Sequence, residues 1–173
     1  MDLSFATISS PVGTWVIEGT SVGVTRVHMP HEGAITSSSH PHEPVARARE
    51  QLEEYFHGTR RDFDVEFAQT AATSFQRAVW RALVALPYGS VATYARVAEM
   101  AGHPGAARAV GNANHANPWP VLVPCHRVVA SSGLGGYGGG EDVKRYLLTL
   151  EGVRLESVGD PKAWRKKDAS APE

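Results

Sequence analysis

A cysteine becomes a strong nucleophile once it loses its proton, and this chain holds one cysteine, Cys125. It stands between Pro124 and His126 in the stretch NPWPVLVPCHRVV, residues 117–129. A base or a positive charge nearby favours the thiolate, and His126 and Arg127 follow the thiol directly. In an extended chain, consecutive side chains point to opposite faces, so Cys125 and His126 are not expected to hydrogen-bond directly. A bridging water would then carry the proton between them. A carboxylate behind the imidazole would fix its tautomer and raise its basicity, and Glu151 is the candidate. The competing reading of a lone cysteine is a small apolar core residue, and the surroundings must separate the two.

Several elements have to position these groups. Thr73 with Gln76 three residues later is a capping-box pattern that opens a helix, SFQRAVWRALVAL, with Phe75, Val79, Leu83 and Leu86 on one face. Pro87-Tyr88-Gly89 stops it. Thr93 can cap a second short helix, YARVAEMA, ending at Gly102; a turn at HPG leads into a third, AARAVGNAN. Two short helices joined by a tight turn outline a helix-turn-helix, a weak signal alone because many helical hairpins bind nothing. Ala106, Ala107, Ala109 and Gly111 leave little bulk on the third helix, with Arg108 projecting among them. After ANPWP, residues Val121-Leu122-Val123 read as a strand ended by Pro124, which presents Cys125 at its tip. The following VVASSGLGGYGGGED has six glycines in the eight positions from Gly133 to Gly140, either a wrap around a flat ligand or a flexible loop. A last helix, EDVKRYLLTLEG, has Val143, Tyr146, Leu147 and Leu150 on one face and Glu151 at its end. The tail DPKAWRKKDASAPE is polar and expected to fray.

The N-terminal part is β-rich. LSFATISS, GTWVIEG and GVTRVHM are short runs separated by turn residues, as in an antiparallel hairpin or meander. VARAREQLEEYFHG follows with helical spacing, and RDFDVEF alternates like one more strand. His28, His31, His40 and His42 lack a fixed ligand spacing and read as loop residues rather than a metal site.

Composition narrows the class. The 173 residues suit one domain or two small ones, and 42% hydrophobic with 20% charged residues is ordinary for a globular protein. No apolar run approaches the roughly 18 residues that span a bilayer. No signal peptide is expected from the N-terminus, and a single cysteine suits a reducing, cytoplasmic setting. The net charge of −1 is unevenly spread. Residues 1–73 carry five arginines against ten acids, whereas residues 74–131 carry five arginines against Glu99 alone. The segment around the cysteine is thus basic, as a phosphate-facing surface should be, though arginines also simply solvate helix faces.

PCHRVV preceded by NPWPVLV resembles the active-site signature of the O6-alkylguanine-DNA alkyltransferases, the methylated-DNA–protein-cysteine methyltransferase family. The resemblance runs over about residues 72–152, through FQRAVWRAL, PYGSVATYARVA, PGAARAVGNANHANPWPVLVPCHRVV, SSGLGGYGGG and LLTLEG in the same order. It implies an α/β (α+β) fold. Residues 1–70 would form a small mixed α/β domain (β-meander plus helix), and residues 71–155 a mainly helical domain with the helix-turn-helix and active-site loop. Residues 156–173 would be a polar tail. The implied activity is DNA repair by direct reversal, in which O6-alkylguanine, with O4-alkylthymine as a further candidate, gives its alkyl group to the protein in one irreversible turnover. Cys125 would be the acceptor, His126 its base through water and Glu151 the group orienting His126. Asn117 would tie the helix-turn-helix to the active-site loop. Tyr94 would hydrogen-bond the flipped base and crowd the phosphate, and Arg108 would enter the duplex and fill the vacancy. Thr93, Ala106, Ala107, Gly111, Ser131 and Lys144 complete the implied DNA-binding set; Val128, Tyr137 and Gly138 line the base pocket. Double-stranded DNA carrying the lesion is the implied partner of a monomer that can assemble cooperatively, approached through the minor groove, with no cofactor, metal or membrane.

Two departures stand out. Relatives often have serine after the pocket tyrosine, whereas Gly138 follows Tyr137 here, so backbone would replace one hydrogen bond to the base. The zinc that some relatives hold through N-terminal cysteines has no cysteines to bind it. Two other functions remain on the sequence: a lesion sensor that flips the base without transfer, which in its known form lacks the cysteine, and a Cys–His hydrolase, which needs an oxyanion hole.

Overall fold

The computed structural model describes residues 2–159. The chain divides into two compact units, Met1–Ala71 with Pro118–Leu122, and Ala72–Asn117 with Val123–Glu173. The tail from Asp160 onward, expected to fray, lies outside the described residues.

In the first unit, β1 (Ser4–Ser10), β2 (Gly13–Gly19) and β3 (Val24–His28) form an antiparallel meander in the order β1-β2-β3. Ser4 pairs with Gly19 and Ser10 with Gly13, so the turn between them is tight. Ser4, Ala6 and Ile8 alternate inward along β1, the period-2 pattern of a half-buried strand. Helix α1 (Glu43–Phe56) packs on the sheet and buries Val45, Ala48, Leu52 and Tyr55 against Trp15, Ile17, Val24 and Val27.

The strand expected over RDFDVEF does not form; only Phe67 makes an isolated parallel bridge, to Val24. The buried Gln51 side chain takes both backbone groups of Asp64, donating to its carbonyl at 3.1 Å and accepting from its amide at 2.9 Å. Those groups are then spent on α1 and not on a ladder. Gly23 lets the segment come close, since a Cβ there would lie 2.5 Å from the Ala68 nitrogen. Pro118–Leu122 returns to this unit, where the Trp119 indole donates to the Val24 carbonyl at 2.9 Å. His28 lies on β3 and bonds Glu18 at 3.2 Å, so it is not a loop residue. Among the described residues, no three His, Cys, Asp or Glu side chains are grouped to hold a metal ion.

The second unit begins with α2 (Ser74–Val84), whose capping box is complete. Thr73 Oγ1 accepts from the Gln76 amide at 3.1 Å and Gln76 Oε1 from the Thr73 amide at 3.0 Å. Val79, Trp80, Leu83 and Leu86 are buried there, with Phe75 only half-buried. A short strand β4 (Ala92–Thr93) leads into α3 (Tyr94–Met100), capped by Thr93 Oγ1 accepting from the Arg96 amide. Gly102 and Gly105 take positive φ in the turn before α4 (Ala107–His115), which gives a helix-turn-helix. The Trp80 indole donates to the Ala113 carbonyl at 2.9 Å and locks α4 on α2.

The strand expected at Val121-Leu122-Val123 is a turn, with Val121 at φ 72°. A β-branched residue there carries about 1–3 kcal/mol of strain, tolerated only where burial holds it. Cys125–Arg127 is a 3-10 turn and not an extended segment. The chain extends only afterwards, as β5 (Val128–Val129), which pairs in parallel with β4. Helix α5 (Glu141–Leu150) buries Val143, Tyr146 and Leu147 as expected; Leu150 is only half-buried, and Lys144, Arg145 and Leu148 are buried as well. Among the described residues no helix is long and apolar enough to cross a membrane.

Candidate active site

Cys125 opens the 3-10 turn, its amide donating to the Val123 carbonyl at 2.8 Å. The turn removes the premise that adjacent side chains must point to opposite faces, but it does not pair the thiol with His126 directly. The imidazole instead turns to Glu151, with Nε2 2.7 Å from Oε2 and both side chains wholly buried. The same carboxylate accepts from Arg127 Nε at 2.8 Å, from Arg127 Nη2 at 3.0 Å and from the Gly89 amide at 3.0 Å. Arg127 Nη1 donates to the Leu86 carbonyl at 2.7 Å. Burial alone would push the Glu151 carboxyl up, yet the hydrogen bonds and charges of His126 and Arg127 outweigh it and hold the group well below the usual carboxylate range.

An ionised carboxylate only accepts, so Nε2 carries the imidazole hydrogen and Nδ1 keeps its lone pair. Nδ1 is buried and has no hydrogen-bond partner among the described residues. Burial lowers the affinity of the ring for a second proton; Glu151 opposes this, while the charges of Arg127 and Lys144 reinforce it. The imidazole is therefore held in its neutral form.

Burial also pushes the Cys125 thiol up, opposed by the neighbouring Asn117 and Tyr137 side chains and by the charge of Lys144. Asn117, itself buried, donates through Nδ2 to the Val123 carbonyl at 2.9 Å, so it braces the backbone that carries the thiol. Lys144 stood with the DNA-binding residues in the sequence reading. It is instead wholly buried, its ammonium donating to the carbonyls of Val128 at 2.6 Å and Gly136 at 3.2 Å, so it cannot meet a phosphate at the surface.

Tyr94 is half-buried at the start of α3, and the Gly136 backbone lies near enough its hydroxyl to favour the ionised form, though burial outweighs it. A Cβ on Gly135 would come within 2.9 Å of that hydroxyl, and one on Gly111 within 3.8 Å of the ring. The tyrosine thus reaches from α4 to the glycine-rich loop. Arg108 is exposed on α4 and makes no ion pair or hydrogen bond among the described residues, while Ala106, Ala107 and Gly111 are half-buried around it. Ser131 and Gly138 are exposed, Thr93 is spent on capping, and Val128 is buried in β5 with its carbonyl on Lys144. Sequence reasoning missed the Arg127 clamp on Glu151, the Gly89 amide and the burial of Lys144. The one available signal for the last was its place among apolar residues of the last helix.

Geometry of this kind defines a class: a protein with a buried thiol, an adjoining imidazole held by a carboxylate, and a helix-turn-helix in the same unit. Residues 74–153 match the family model described as the 6-O-methylguanine DNA methyltransferase, DNA binding domain. A methylated-DNA–protein-cysteine methyltransferase of Mycolicibacterium paratuberculosis is 44% identical over 153 residues, covering 86% of this chain and 92% of its own. The constitutive one of Bacillus subtilis is 37% identical, over 86% of this chain and 95% of its own. The crystal structure of the Mycobacterium tuberculosis OGT in complex with DNA superposes with a TM-score of 0.75 at 43% identity, covering 86% of this chain and 92% of that one. The chain belongs to the methylated-DNA–protein-cysteine methyltransferase family.

Proposed function

We propose that this chain repairs alkylated DNA by taking the alkyl group of O6-alkylguanine onto the sulfur of Cys125. The observation that carries the reading is a buried thiol on a turn braced by Asn117, with the adjoining His126 paired to Glu151 at 2.7 Å. Its relatives are named for the same transfer, and one has been solved with DNA. His126 Nδ1 takes the thiol proton through a water, and the thiolate attacks the alkyl carbon. The S–C bond forms as the C–O6 bond breaks, the electron pair stays on the base, and a proton returned to it leaves guanine. The thioether has no group able to leave, so each molecule repairs one lesion. No cofactor is needed, because the electrophile arrives with the DNA.

The O6 substituent lies inside the stacked duplex, so the base must be extruded before the sulfur can reach it. The second unit carries both binding and chemistry. Tyr94 receives the base, the loop from Val128 to Gly138 lines its pocket, and the exposed Arg108 fills the gap left in the stack. Entry from the minor groove suits a small-residue helix that approaches the backbone closely.

Mass spectrometry after incubation with duplex DNA containing O6-methylguanine tests this directly. The peptide containing Cys125 should gain the mass of one methylene group, and Cys125→Ser should gain nothing while still binding the duplex. Tight binding by the unsubstituted protein without any mass gain would leave a lesion sensor in place of a transferase. Repeated turnover of a thioester or amide would point to a hydrolase.

A further inference from the structure

The turn that follows α2, residues 86–89, is seated against the groups behind His126. The Leu86 carbonyl accepts from Arg127 Nη1 at 2.7 Å, and the Tyr88 ring lies under the same guanidinium with its centre 5.7 Å from Cζ. The Tyr88 hydroxyl donates to the Leu150 carbonyl at 3.3 Å, and the Gly89 amide donates to Glu151 Oε1 at 3.0 Å. Glu151 is the C-cap of α5, where the last carbonyls lack helical partners and make the helix end negative. A carboxylate at that end is repelled by the helix that carries it. By taking the carbonyl just before Glu151, the Tyr88 hydroxyl removes part of that repulsion. Leu86 and Gly89 act here through backbone groups, which most residues could supply. Tyr88 acts through its side chain, with the ring toward Arg127 and the hydroxyl toward Leu150.

We infer that Tyr88 is a positioning residue of the transfer reaction: bridging the Arg127 guanidinium and the Leu150 carbonyl, it seats the Glu151 carboxylate against His126. This rests on the reading of Cys125 as alkyl acceptor and His126 as its base. The imidazole meets the carboxylate through Nε2 at 2.7 Å, so the ring tautomer follows the place of Glu151. With Glu151 seated, the hydrogen stays on Nε2, and Nδ1 keeps the lone pair that takes the thiol proton. Without Tyr88 the guanidinium loses an aromatic face and the end of α5 regains an unpaired carbonyl. The carboxylate then drifts from the imidazole, and hydrogen on Nδ1 blocks the base.

Tyr88→Phe keeps the ring and drops the hydroxyl, whereas Tyr88→Leu drops both. Single-turnover methyl transfer from an O6-methylguanine duplex should slow about three-fold in the first and about ten-fold in the second, with duplex affinity unchanged. The imidazole nitrogen chemical shifts of His126 read its tautomer in the full chain without DNA. They should place the hydrogen on Nε2 in the unsubstituted protein and show a mixture of both tautomers in Tyr88→Leu. A folded Tyr88→Leu protein that keeps the hydrogen wholly on Nε2 overturns the proposal, because a purely structural tyrosine would lower the urea midpoint without moving the tautomer. An unslowed transfer rate in that variant overturns it as well. Should the leucine variant not fold, Tyr88→Phe decides, and transfer there at the unsubstituted rate overturns the proposal. A protein that takes no methyl from the duplex refutes the acceptor reading itself; one that takes it while Tyr88→Leu keeps both tautomer and rate refutes only the role of Tyr88.

Discussion

Four hydrogen bonds converge on the two oxygens of Glu151, from His126, twice from Arg127 and from the Gly89 amide. So many donors make the carboxylate a poor proton acceptor, which fits a group that orients the imidazole and leaves its proton alone. Replacing it with glutamine leaves the buried Arg127 without its charge partner, and the expected loss in urea denaturation at pH 7 is about 3–5 kcal/mol. The acid limb follows from the directions of the two shifts. His126 is lowered from its ordinary 6.5, so the unfolded chain takes up a proton there that the fold resists, and stability falls as pH drops below about 6.5. Glu151 is held below its ordinary 4.5, so its contribution is complete above that value and drains away as pH falls toward the folded value. Denaturation midpoints from pH 7 to 3 should show both losses, and Glu151→Gln should lack the second.

At the scale of elements, the glycine-rich loop comes closest to Tyr94 at a single position. Gly135 sits at φ 81°, and a Cβ there would lie 2.9 Å from the Tyr94 hydroxyl and 3.1 Å from the Ala130 nitrogen. Gly135→Ala is expected to cost about 1 kcal/mol or more from the backbone alone and to displace Tyr94 as well. Methyl transfer should therefore fall further than duplex affinity, a split seen by measuring single-turnover rate and binding on the same preparation. Equal loss in both would mean that Tyr94 is not held by this loop. The helices were largely legible beforehand because their signals are local. Thr73 with Gln76, and Thr93 before Tyr94, satisfy amides three residues away. Strands were less legible. RDFDVEF alternates as a strand should, but Gln51 of α1 claims the Asp64 backbone, and no periodicity within the segment reveals that. Val121-Leu122-Val123 is apolar and β-branched as a strand should be, yet it forms a turn.

Across the whole molecule, charge separates along the chain. The stretch 74–131 holds five arginines and a single acid, while residues 1–73 hold twice as many acids as arginines. Duplex affinity should accordingly weaken with salt through the second unit. Arg108 is exposed and unpaired among the described residues, so Arg108→Ala is expected to leave the fold unchanged. It should slow repair of duplex O6-methylguanine while sparing reaction with free O6-benzylguanine, because only the duplex needs its stack filled. Equal slowing of both substrates would remove Arg108 from that role.

The chain of residues by itself determined the lone thiol with an imidazole next to it, the capped helices around the turn and the basic character of their segment. Each of these is written within a few neighbouring positions. Tertiary structure alone decided that Arg127, 24 positions from Glu151, clamps it, that a lysine on the last helix is buried on the carbonyls of Val128 and Gly136, and that the thiol sits on a tight turn. Burial and partnership between distant positions are set by how helices and loops come together, and hydrogen bonds across such distances leave no periodic trace in the order of residues.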